Sequence, residues 1–129
     1  MKFIKIFGAL ILLQCLIWVA SHIYFTANRS DVLLVVDTSF SMKPNFPSVK
    51  TWIEDYENSA RYKNVTIGTD KASLGPLPDL VSKDIIFRTS FGKLNEENLK
   101  RLYSHVKADE KILLSDGSQE PNGWDVVAF

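Results

Sequence analysis

The run Val32–Val36, VLLVV, constrains this chain more than any other stretch. It has strand length, and no polar residue interrupts it. A strand built from it is apolar on both faces, as in the centre of a parallel sheet covered by helices. The run ends on Asp37, and hydroxyls follow at Ser39 and Ser41. Polar groups just past the carboxyl end of such a strand lie where open α/β sheets bind ligands. One carboxylate and two hydroxyls so close together are hard oxygen donors, suited to a hard divalent cation.

The rest of the chain supplies partners for that strand. Val49, Trp52, Ile53 and Tyr56 recur at helical spacing after an N-cap at Ser48, which predicts a helix ending near Ala60. Asn64–Thr69 alternates with β-branched residues and predicts a second strand. Leu74–Pro78 is a Gly/Pro turn region, with room for a short edge strand before it. Val81–Arg88 fits a strand or a short helix equally well. Asn95 is an N-cap with Glu96 and Glu97 in the first turn, opening a helix from Glu96 to about Lys107. Lys111–Gly117, KILLSDG, repeats the opening logic of apolar strand, acid and turn, and Asp125–Phe129 is a last strand. Strands alternating with helices predict an α/β fold with a mostly parallel sheet. If the strands ending at Asp37 and Asp116 are neighbours, two carboxylates meet at one sheet edge. Unpaired, they repel unless a cation joins them.

The amino end is a separate unit. After Lys2 and Lys5 the chain is apolar from about Phe7 to Phe25, broken by Gln14, Ser21 and His22. At roughly 1.5 Å per residue this approaches the ~30 Å hydrocarbon core of a bilayer. Trp18 and Tyr24 suit an interface, and the two lysines favour a cytoplasmic amino end. Residues 1–27 are read as a signal anchor, with 28–129 as one small domain on the non-cytoplasmic side of the inner or plasma membrane. The competing reading is a signal peptide cut after Ser21, which exports the rest. All 15 acids lie at or beyond Asp31 and the net charge is +0, so nothing predicts a nucleic-acid partner. Cys15 is the single cysteine, which rules out an intrachain disulfide and a Cys/His zinc pattern.

Asp37-Thr38-Ser39-Phe40-Ser41-Met42 resembles the Asp-x-Ser-x-Ser motif of von Willebrand factor type A (vWA) domains. Leu113-Leu114-Ser115-Asp116-Gly117 resembles that family's Leu-Leu-Thr-Asp-Gly strand end. The likeness covers Asp31 to about Gly117. It implies a Rossmann-like sheet flanked by helices, with a metal-ion-dependent adhesion site (MIDAS) at the sheet's carboxyl edge. It implies Mg²⁺, or Mn²⁺ or Ca²⁺, bound directly by Ser39 and Ser41. Asp37 and Asp116 would act mostly through coordinated water, and a protein partner would supply a carboxylate. The family's further threonine ligand maps best to Thr89, with Thr69 and Ser90 behind it. Phe40 stands where glycine is usual, as a contact residue or as packing on the sheet. The threonine loop lacks the usual glycine pair. The domain is also short at its carboxyl end, where the family adds helices and a strand.

The resemblance implies a membrane-tethered or exported binding module rather than an enzyme. A structural or assembly component with a vestigial or purely stabilising metal site is the alternative. Phosphotransfer of the haloacid-dehalogenase kind needs a second acid where Ser39 stands. A Ser-His-Asp hydrolase would have only His105 as base, with no nucleophile elbow near it. Trp52 and Trp124 are expected to pack, and Glu54, Asp55 and Glu57 to form a solvated helix face.

Overall fold

A computed structural model describes the whole chain, Met1–Phe129. Helix α1 (Lys2–Ala27) is exposed along its length, with a mean hydropathy of 2.2 in its most apolar window. Five strands follow: β1 (Ser30–Val36), β2 (Lys63–Thr69), β3 (Ser73–Pro76), β4 (Glu110–Ser115) and β5 (Asp125–Ala128). They form one sheet in the order β3-β2-β1-β4-β5. β2, β1, β4 and β5 run parallel, and β3 is an antiparallel edge strand. The expected α/β class with a mostly parallel sheet is what the chain adopts.

The unbroken apolar strand follows from its place. β1 is central, and Val32 to Val36 are all at most 1% exposed. Val32, Leu34 and Val36 face α2 (Phe46–Ser59), packing on Val49 and Ile53. Leu33 and Val35 face α3 (Glu96–Tyr103), packing on Leu99 and Tyr103. Each fully buried aliphatic side chain stabilises the fold by about 1.5–3 kcal/mol. Trp52 stacks on Tyr56, and Trp124 meets Tyr103 edge to face, so both tryptophans pack.

Several boundaries differ from expectation. α2 begins at Phe46, with Pro47 in its first turn, so Ser48 lies inside the helix. Proline suits that turn because its amide would lack a helical partner anyway. Ile85 to Phe87 belong to a 3₁₀ turn, Lys83–Phe87, which buries only Ile86. α3 stops at Tyr103, short of Lys107, with Ser104 as its C-cap. Tyr103 reaches across the sheet instead. Its hydroxyl donates to the carbonyls of Thr69 (2.6 Å) and Ala72 (3.1 Å), fixing the turn between β2 and β3. Gly68 makes this possible, since a Cβ there would collide with the Tyr103 hydroxyl. β4 and β5 are joined by residues 116–124 alone, fewer than the dozen or so usual for a parallel crossover.

Candidate cation cleft at the sheet's carboxyl edge

The cleft grows out of the last residue of β1. Asp37 extends the ladder by one rung, its amide donating to Leu114 O at 2.9 Å. The chain then turns on its own side chain, with Ser39 N donating to Asp37 Oδ1 at 2.9 Å. Aspartate favours such a turn because its carboxylate mimics the backbone acceptor two residues on. The turn brings the Ser39 and Ser41 hydroxyl oxygens to 3.2 Å from each other. Ser39 is 2% exposed, while Ser41, in the 3₁₀ segment Phe40–Asn45, is exposed.

Two neighbours lock the turn. Asp70 follows β2 directly, and its Oδ1 accepts from Thr38 N (3.0 Å) and Thr38 Oγ1 (2.6 Å). Its Oδ2 pairs with Lys71 at 2.5 Å. On the other side, Phe91 N donates to Thr38 O (3.2 Å) and Phe40 N to Gly92 O (3.1 Å). Ser90 Oγ donates to Ser39 O at 3.3 Å. The segment before α3 is thus stitched to the turn.

Between these parts lies a cleft of about 370 Å³. Asp37, Ser39, Ser41 and Asp116 line it, with Phe40, Lys93 and Gln119 among its other walls. Four of the five residues expected at a metal site therefore share one cleft. Thr89 does not line it. It is exposed at the start of the 88–95 loop, and that loop meets the cleft through Gly92, Lys93 and Leu94. The alternatives are engaged elsewhere: Ser90 as above, and Thr69 Oγ1 in accepting from the amides of Lys71 and Ala72. Phe40 is 70% exposed, so it stands at the rim and does not pack on the sheet.

The two acids sit in opposite environments. Burial pushes Asp37 above the ordinary carboxylate range, against the lowering effect of its Ser39 hydrogen bonds, and the charges of Asp70 and Asp116 push it further. Hydrogen bonds from Ser118 hold exposed Asp116 below that range. Gly117 follows in the left-handed region, φ +79°, where glycine is the favoured residue.

No three His, Cys, Asp or Glu side chains converge as a metal-holding group. The donor set here is two carboxylates and two hydroxyls. Adjacent ligands of an octahedral Mg²⁺, each at about 2.1 Å, stand roughly 3 Å apart. The Ser39–Ser41 spacing of 3.2 Å fits one shared cation. Burial disfavours the charge on Asp37, and a cation beside it would offset that cost.

Asp70 escaped the sequence reading, although its signal was present. β1, β2 and β4 are each followed immediately by an aspartate: Asp37, Asp70 and Asp116. Asp70 differs because Thr38 and Lys71 occupy both its oxygens, which makes it a brace for the turn. Comparisons with family models, curated proteins and solved structures give no match to this chain.

Proposed function

We propose that the chain is a membrane-tethered, vWA-like module that binds a partner protein through a divalent cation, Mg²⁺ or its substitutes Mn²⁺ and Ca²⁺. One observation carries this reading. Asp37 and Asp116 end adjacent parallel strands and share a cleft with two hydroxyls at ligand spacing. Strand order supports it as well. Order reverses between β1 and β4, and ligands of open α/β sheets bind at such switch points.

Exposed Ser41 and Asp116 leave the cleft open for a partner's carboxylate. The bound cation would supply the positive charge that carboxylate meets. No histidine lines the cleft, so a hydrolytic triad has no base there, and the reading is of binding rather than turnover. α1 is the tether, and Lys2 and Lys5 put the domain on the non-cytoplasmic side. Export after cleavage would release the same module. One observation favours an assembly role instead: β5 has an unpaired outer edge that another chain's strand could extend.

The test is a thermal melt of the full chain in detergent, titrated with Mg²⁺ or Mn²⁺, beside Ser39→Ala. Cation at a hundred times its Kd is expected to stabilise the parent by about 2.7 kcal/mol. The variant should show little of this. No shift in the parent, or an equal shift in both, would sink the cation site. Partner capture that persists in chelator would favour the assembly role.

A further inference from the structure

The parallel strands β1, β2 and β4 begin at Ser30, Lys63 and Glu110, on the sheet edge opposite the cleft. Only Asn28 and Arg29 separate that edge from α1. From Ala27 to Ser30 a fully extended chain reaches no more than about 11 Å. The amino edge therefore cannot leave the end of the helix.

Contacts hold it there. The Tyr62 hydroxyl and His22 Nδ1 share a hydrogen bond of 2.8 Å. The Tyr62 ring lies 5.5 Å from that of Phe25 and meets His22 edge-on at 5.8 Å, while Trp18 stacks on His22. His22 lies roughly 7 Å back along the axis from Ala27. Tyr62 thus reaches toward the apolar segment. A notch of about 450 Å³ opens at this junction, lined by Tyr24, Phe25, Arg61 and Tyr62 among others. Arg29 and Arg61 are exposed and make no ion pair within the chain. Amphipathic rings sit at membrane–water interfaces, and basic residues beside a membrane helix are drawn to anionic lipid.

We propose that the amino edge of the sheet, with Arg29, Arg61 and Tyr62 beside the end of α1, is a docking surface for anionic phospholipid headgroups that holds the cation cleft on the far side of the domain. This rests on α1 being a retained membrane helix. At about 3.3 Å per residue, the length of β1 puts the cleft roughly 23 Å from the docked edge. A partner then reaches the cleft from the aqueous phase, not from within the bilayer.

The test uses the full chain in vesicles of phosphatidylcholine and phosphatidylglycerol. Cys15→Ser removes the native thiol. Leu12→Cys, Ser59→Cys and Ser118→Cys then each carry an environment-sensitive fluorophore, quenched by lipids spin-labelled at known depths. The label at Leu12 is expected to be quenched from mid-chain. The label at Ser59, in the notch, should be quenched by headgroup spin labels several-fold more than that at Ser118, in the cleft wall. Arg29→Glu with Arg61→Glu should lower quenching at Ser59 and leave Leu12 unchanged. Equal quenching at Ser59 and Ser118, or no response to the arginine changes, overturns the docking surface while the Leu12 signal still reports an inserted helix. Loss of the Leu12 signal removes the anchor, and the docking surface falls with it.

Discussion

Asp37 and Asp116 both follow apolar strands, and those strands are hydrogen-bonded neighbours. Asp37 is 1% exposed and braced from two sides, whereas Asp116 is exposed and held only within its own loop. Their affinities for protons are pushed in opposite directions. Burial disfavours the charge at the Asp37 end, where the backbone is fixed. The Asp116 end is open to solvent. Similar local sequence gives different chemistry because the turn after β1 is stitched to Asp70 and to the segment before α3, whereas Asp116 is hydrogen-bonded only by Ser118 in its own loop.

The contrast can be broken most severely at its brace. Asp70→Ala leaves Thr38 N and Oγ1 without their acceptor and should cost about 3 kcal/mol in a melt of the full chain. Asp70→Asn, which keeps an oxygen for Thr38, should cost distinctly less. Equal losses would mean that the ion pair with Lys71, and not the turn, matters.

Next comes Asp37→Asn. It should abolish the cation-induced shift, about 2.7 kcal/mol at a hundredfold excess over Kd. Without cation it should melt higher than the parent at neutral pH. The sign follows from the raised value. Asp37 supports the fold fully below the ordinary carboxylate pKa of 3.8, and that support is lost as pH rises through its raised folded value. The gap between variant and parent should therefore widen as pH rises from about 4 to 8. A gap that narrows over that range contradicts burial as the cause.

Asp116→Asn should act more gently, weakening cation affinity some 10–100-fold, as the loss of an outer-shell partner does. Its lowered value gives the opposite pH sign: the carboxylate's contribution is present above 3.8 and fades as pH falls through the lowered value. Calorimetric titration of the variant would check the affinity. An affinity loss as complete as that of Asp37→Asn would erase the difference between the two ends. The smallest effect belongs to Phe40→Ala, within about 0.5 kcal/mol in stability because the ring is solvent-exposed. Its influence should appear only in partner capture, read by pull-down.

Much of this architecture was legible where one physical effect dominated. VLLVV has the length and the unbroken apolar character of a central strand, and Asn95 caps α3 as its residue type favours, accepting from Glu97 N at 2.8 Å. The spacing of Asp37, Ser39 and Ser41 after the strand was enough to place them together, and they line one cleft. Asp70 stood out less, because the strand before it is interrupted by Thr66, Gly68 and Thr69 and lacks the unbroken apolar run of β1. The reach of Tyr103 across Gly68, the end of α3 and the 3₁₀ turn at Lys83–Phe87 depend on long-range contacts that no local pattern encodes. Thr89 rests on analogy of loop position alone. The hydrogen bonds from Phe40 N, Phe91 N and the Ser90 hydroxyl decide instead which part of that loop meets the cleft.

The two-residue link between α1 and β1 also has a mechanical meaning. The strand that carries Ser39 at one end is the strand fastened to the helix at the other. A pull at Ser39 against an anchored helix would run along the covalent backbone of β1 itself, because both points of force lie on that one strand. The rungs to β2 and β4 would then carry little of the load.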